Sequence, residues 1–222
     1  MAKNRTVLIA GHAAGLGEAL RARFESAGYG VVSVSRSAPS PWGVDLTDAD
    51  AVERLFQHLD QHCPPLAGVI HNAMQFHRQP LMQTSPQTLE AVWKSMVLTA
   101  FNTAQAAIPR LAKTGGGTLI FSGASGSLKA GPGFSAFSAS KFALRGLTQA
   151  MAREHAADGI HVAHVVIDGL IRSAKTTERF KPDADSALIE PEALAEQYLH
   201  LFEQPPSVWT EELNIRPTAH TR

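Results

Sequence analysis

Short apolar runs alternate with longer amphipathic stretches along the whole of this chain, and that alternation is what most limits its fold. Residues 6–10, 31–35, 66–70, 118–121, 160–167 and 212–215 read as strands, and most are apolar at every position rather than at alternate ones. Between them lie helical patterns. One carries Leu16, Leu20 and Phe24 on a single face and stops at Gly28. A second carries Val52, Leu55, Phe56 and Leu59, with Thr47 or Asp48 as cap and Pro64-Pro65 as stop. Ser85-Pro86 opens a long helix to about Lys113, ended by Gly115-Gly116-Gly117. Two more are expected over 135–157 and from Pro191 to about Glu203. Strands apolar on both faces, each followed by a helix, predict an α/β fold with a parallel sheet covered on both sides. With 222 residues and no repeat, low-complexity tract or linker, a single domain over 1–222 is expected, with 218–222 as a tail. The polar stretch 172–190, which contains Pro182, is the expected lid over a binding site.

The first strand runs into Gly11-His12-Ala13-Ala14-Gly15-Leu16-Gly17. Glycines at this junction let the backbone turn sharply and come close to a pyrophosphate, while the following helix presents free N–H groups to the anion. The spacing is G-x-x-x-G-x-G, and a plain tight turn is the alternative reading. Arg36 ends the second strand, where an acidic side chain would accept from an NAD ribose; an arginine there suits a 2′-phosphate, or is simply solvated. Asp45 follows the next short run and could accept from an adenine amino group or stabilise its own turn.

Together these residues resemble the short-chain dehydrogenase/reductase family. Gly11, Gly15 and Gly17 match its T-G-x-x-x-G-x-G, with Ala10 in place of the threonine; Asp45 matches its adenine-contacting aspartate. His71-Asn72-Ala73-Met74 resembles its N-N-A-G segment, and Phe137-Ser138-Ala139-Ser140-Lys141 echoes Tyr-x-x-x-Lys. The resemblance covers the chain to about Pro217. It implies a doubly wound Rossmann-type sheet of about seven strands, NADP(H) rather than NAD(H), and a homodimer or homotetramer through the helices 85–113 and 135–157. It also implies a shortened segment after the sixth strand. The cofactor-contacting set it implies is Gly11, His12, Gly15, Leu16, Gly17, Arg36, Asp45, Leu46, Asn72, Ala73, Lys141, Gly169 and Ile171.

The implied reaction is hydride transfer to or from a small carbonyl or alcohol. The family's tyrosine moves the proton, and its lysine lowers the tyrosine pKa from about 10 and binds the ribose. Here the tyrosine position is Phe137, which has no ionisable atom. Loss of a positioned general acid forfeits about 10²–10⁴-fold in rate. Counting back from Phe137, the family serine falls on Ala124, flanked by Ser122 and Ser125; Ser125 is the preferred substitute. The relay asparagine falls on Met96, beside Ser95, and the family's P-G becomes Asp168-Gly169. Lys141, Ser125 and Asp168 are therefore the candidate catalytic residues. Two functions remain open: an oxidoreductase with a non-standard proton donor, and a non-catalytic NADP(H)-binding sensor or scaffold.

Lys plus Arg and Asp plus Glu both number 20, which gives no reason to expect nucleic acid or an anionic membrane as partner. Cys63 is the single cysteine, so an internal disulfide is excluded and a cytoplasmic location is expected. No metal site is expected: His58 and His62 lie on one helical face without an evident third ligand, and His161 and His164 point to opposite sides of a strand.

Overall fold

Six parallel strands form one sheet in the order β2-β1-β3-β4-β5-β6, where β1 is Thr6–Ala10, β2 Gly30–Val34, β3 Leu66–His71, β4 Gly117–Ser122, β5 Ile160–Ile167 and β6 Glu212–Ile215. The computed structural model describes residues 3–12, 14–182 and 187–218. Because successive side chains point to opposite faces, each strand feeds two cores. Leu8 and Ala10 face helices α2 (Ala49–His62), α4 (Thr99–Lys113) and α5 (Ser135–His155). Val7 and Ile9 face α1 (Leu16–Ser26) and α7 (Pro191–Phe202). Both cores are predominantly apolar, which is why the strands lack the polar alternation of a one-sided sheet.

The sheet has six strands, not about seven. Between β2 and α2 the chain makes only an isolated bridge, Ser35 to Gly43, where a further edge strand beside β2 would lie. A parallel crossover needs a dozen or more residues. Residues 36–43 fold straight back, with Trp42 and Gly43 N–H groups bonded to Pro39 O at 2.9 and 3.1 Å. The shortening therefore falls here, and not only after β5.

The long helix expected over 85–113 is also divided. α3 (Pro86–Trp93) passes into a π-helical turn over Lys94–Leu98 before α4. Hydroxyls fasten this wider turn: Ser95 Oγ donates to Val92 O at 2.8 Å and Thr99 Oγ1 donates to Ser95 O at 3.0 Å. Met96, inside the turn, is fully buried.

A seventh helix, α6 (Ala174–Phe180), lies within the expected lid. Ile171 bridges Ile189 at its base and Arg172 pairs with Glu190, so both ends of the excursion are tied together. Of that segment, 183–186 fall outside the described residues, as do 219–222 of the expected tail.

The cap of α2 is Asp48, whose carboxylate accepts from the N–H groups of Asp50 and Ala51 at 2.9 and 3.1 Å. Asp48→Ala should lower unfolding free energy by about 1 kcal/mol, read from denaturant melts, with fold unchanged by circular dichroism.

A candidate nucleotide cleft at the sheet switch point

Strand order reverses between β1 and β3, and the crevice beyond their carboxyl ends holds a cleft of about 870 Å³. Its floor is the contact between the two strand ends. Gly11 has φ +93°, and a β-carbon there would lie 2.4 Å from Ala73 N. Asn72 completes the junction: its N–H donates to Ala10 O at 2.7 Å and its Nδ2 to Gly11 O at 3.4 Å. Gly15, at φ +90°, faces Ser173 across the mouth. His12 Nδ1 is buried without a partner, 3.2 Å from where a β-carbon of Gly17 would be. A backbone held this close to open space, with an orphaned ring nitrogen beside it, fits a phosphate-bearing group.

The cleft gathers Gly11, His12, Gly15, Leu16 and Gly17 at one wall, Arg36, Asp45 and Leu46 at a second, and Asn72, Ala73 and Ile171 further in. Arg36 is exposed, between Ser35 and Ser37. Asp45 is already engaged: its Oδ1 accepts from Thr47 N at 2.9 Å and Thr47 Oγ1 at 2.8 Å, and these bonds hold its carboxyl below the ordinary range. Ser173, Lys175, Thr176, Arg179 and Phe180 line the cleft from α6 and the residue before it. The residue expectations missed Ser95 and Thr99 as lining groups, because a regular helix would not have brought the π turn to this wall.

The four positions singled out for chemistry lie elsewhere. Phe137 is 7% exposed and belongs to the core formed with α2, α4 and α5. Phe76, which lines the cleft, has its ring centroid 5.4 Å from that of Phe137. Ser125 begins a short 3₁₀ turn beyond β4, and Asp168 ends β5 with its N–H donating to Ile215 O at 2.8 Å. Neither lines the cleft, and neither does Gly169, which packs against Ile189 and Pro217.

Lys141 is 1% exposed and its Nζ donates to Ser122 O at 2.7 Å. Burial lowers its pKa to about 8. Two imidazoles sit within its field. His71, bonded through Nε2 to Thr99 Oγ1 at 3.0 Å, is lowered to about 3 by burial first and by Lys141 second. His164, 3.0 Å from Ser127 Oγ, is lowered to about 4 by the same two causes in the same order. Ser127 and His164 form a buried pair that spacing along the sequence could not reveal, since they are brought together only by the β4–β5 pairing.

These shifts act with the same sign in different pH windows. A histidine with a lowered folded pKa contributes its full stability above the ordinary value of 6.5 and loses it as pH falls toward the folded value, because only the unfolded chain takes up the proton. Each imidazole should steepen the loss by about 1.4 kcal/mol per pH unit below that point. Denaturant titrations between pH 7 and 5 should show that slope reduced by up to about 1.4 kcal/mol per pH unit in His71→Asn, with His164 and the burial-lowered His161 retaining theirs. For Lys141 the buried ammonium disfavours folding below about pH 8 and is relieved toward 10.5. Lys141→Met should therefore melt higher than wild type at pH 7, by roughly 2–4 °C per kcal/mol relieved. A lower melting temperature would contradict the burial argument.

Comparison with known proteins agrees with this architecture. A family model described as short chain dehydrogenase matches residues 5–184. The 3-oxoacyl-[acyl-carrier-protein] reductase MabA of Mycobacterium tuberculosis is 31% identical over 179 residues, covering 78% of this chain and 72% of that protein. An uncharacterized oxidoreductase of Staphylococcus aureus is 24% identical over 228 residues, 96% of this chain and 97% of the relative. Among solved structures, a short-chain dehydrogenase from Rhodopseudomonas palustris superposes with a TM-score of 0.82 at 28% identity, over 97% of this chain and 99% of that one. ElxO with NADP bound superposes with a TM-score of 0.86 at 20% identity, over 95% and 96% of the two chains. Sheet order, switch-point cleft and family match converge: the chain belongs to the short-chain dehydrogenase family.

Proposed function

We propose that this protein is an NADP(H)-binding, cytoplasmic oxidoreductase that transfers hydride to or from a small carbonyl or alcohol, and that it is an atypical family member whose proton does not come from residue 137. The observation that carries the reading is the cradle at the switch point: Gly11 pressed on Ala73 and Gly15 at positive φ at the wall of one cleft that Arg36 also lines, with His12 Nδ1 buried beside them and unpartnered among the described residues. Gly11, Gly15, Leu16, Gly17 and His12 hold the phosphates. Arg36 meets a 2′-phosphate, Asp45 and Leu46 border the adenosine, and Asn72, Ala73 and Ile171 border the nicotinamide half. Lys141 and Gly169 belong to the same half, behind the cleft wall. The NADP bound in ElxO supports this choice of cofactor. Residues 172–190 act as the lid, with α6 closing one side.

A bound reduced nicotinamide would supply the hydride for the carbonyl carbon. The carbonyl oxygen then needs one proton, and a phenyl ring has none. With Ser125 and Asp168 off the cleft lining, the proton comes from a water at Ser95 and Thr99 or from a rearranged Ser125 or Asp168. The second reading, a non-catalytic NADP(H)-binding sensor or scaffold, is favoured by one observation: neither Phe137 nor buried Lys141 is among the residues that line the cleft.

Assembly as a homodimer or homotetramer is supported by Phe101 on α4 and Phe142 on α5, which are 42% and 44% exposed.

NADPH at 100-fold over its Kd should stabilise the protein by about 2.7 kcal/mol in thermal-shift assays, and Arg36→Gln should erase the preference for NADPH over NADH. No shift with either nucleotide rejects the cofactor assignment. Turnover of a carbonyl panel, read at the reduced-nicotinamide absorbance, separates the two functions: NADPH binding with no turnover selects the sensor. Phe142→Asp should yield a smaller species by light scattering; an unchanged mass rejects the helix-mediated assembly.

A further inference from the structure

Four phenylalanines from three segments meet at one end of the cleft. Phe76 follows β3, Phe134 precedes α5, Phe137 lies in α5 and Phe180 ends α6. Phe76 is the hub. Its centroid is 5.2 Å from Phe180 at 87°, 6.0 Å from Phe134 at 79° and 5.4 Å from Phe137 at 53°. These edge-on arrangements are the favourable ones for rings and leave ring faces uncovered by other rings. The loops are clamped, since Gln79 N–H donates to Gly133 O at 2.9 Å.

Two guanidinium groups sit on this cluster. Arg179 lies 4.3 Å from the Phe76 centroid and Arg78 5.3 Å from that of Phe134. Among the described residues neither is paired with a carboxylate. Of the ring groups, Phe76 and Phe180 face the cleft, and Arg179 lines it beside them. A cation resting on an aromatic face is weakly held at an exposed site and is available to an anion. When it turns to an anion it uncovers the face beneath.

We infer that this box selects the substrate class: a carbonyl compound with a flat aromatic body and a carboxylate, the body stacked on Phe76 and Phe180 and the carboxylate taken by Arg179. The inference rests on the oxidoreductase reading and deepens it. Phe137 then serves as the rear wall of the box, which gives a phenylalanine at that position a physical use. The chemistry is the same hydride addition to the carbonyl carbon with one proton to its oxygen, and the ring and carboxylate are unchanged by it.

The test uses aldehydes as binding probes on the full-length protein saturated with NADP⁺, which has no hydride to give. By calorimetry, 4-carboxybenzaldehyde should bind roughly tenfold more tightly than benzaldehyde, and benzaldehyde more tightly than cyclohexanecarbaldehyde. Arg179→Gln should bring the two aromatic aldehydes to within about twofold while the NADP⁺ affinity holds. Phe76→Ala should remove the preference for benzaldehyde over its saturated counterpart. Equal affinities in the wild type overturn the inference, as does a loss of NADP⁺ affinity in Arg179→Gln, which would give that guanidinium to the cofactor. The same titrations without NADP⁺ keep the two readings apart: aromatic and carboxylate preference there, with no NADP⁺ binding, supports the box and rejects the cofactor; no preference with NADP⁺ bound rejects the box alone.

Discussion

The contact of Gly11 with Ala73 is the constraint on which the cleft depends. It brings the ends of β1 and β3 together at the point where strand order reverses, and no side chain larger than hydrogen fits there without moving Ala73 backbone. Everything that lines the cleft is placed relative to that junction. His12 and Gly15 follow it along the chain, Asn72 is bonded across it, and Phe76 leaves it on the other side. A substitution at Gly11 would not merely narrow a pocket; it would separate the two strands whose divergence creates it.

The parts of the fold that could be read from residues alone are those set by local chemistry. Doubly apolar runs placed five of the six strands within a residue or so of their observed ends, and the Ser85-Pro86 and Pro191 starts were visible because serine caps and proline tolerates the first turn. The π turn at Lys94–Leu98 was not visible. Its hydrophobic spacing is that of an ordinary helix, and the hydroxyl bonds of Ser95 and Thr99 that fasten it are tertiary choices. The missing edge strand was not visible either, because Val44-Asp45 reads like a strand end whether or not a crossover precedes it. Among site residues, the glycine loop and Arg36 line one cleft. Phe137 and Lys141 share one helix but neither lines that cleft, which their spacing along the helix could not reveal.

The electrostatics beneath the cleft follow one pattern. Lys141 is the one ammonium among the fully buried side chains described, and it donates to a carbonyl, that of Ser122. Such a charge is unfavourable in a dry interior, and the surroundings answer by staying neutral: His71 and His164 are both held deprotonated. An interior arranged this way accepts a cation without adding to it. The cost to folding is retained in the native protein, offset by the apolar packing around it.

Phe76 connects that interior to the substrate question. Were residue 137 a tyrosine in this same rotamer, its ring would still pack in the α2–α4–α5 core, 5.4 Å from the Phe76 ring. Its hydroxyl would be a polar group at a buried position and would need a partner there. An apolar ring at 137 suits so packed a position, because it leaves no buried hydroxyl to satisfy. The polar groups Ser95, Thr99 and Arg179 line the cleft instead, from the π turn, the start of α4 and α6, elements whose sequences look least like a catalytic motif.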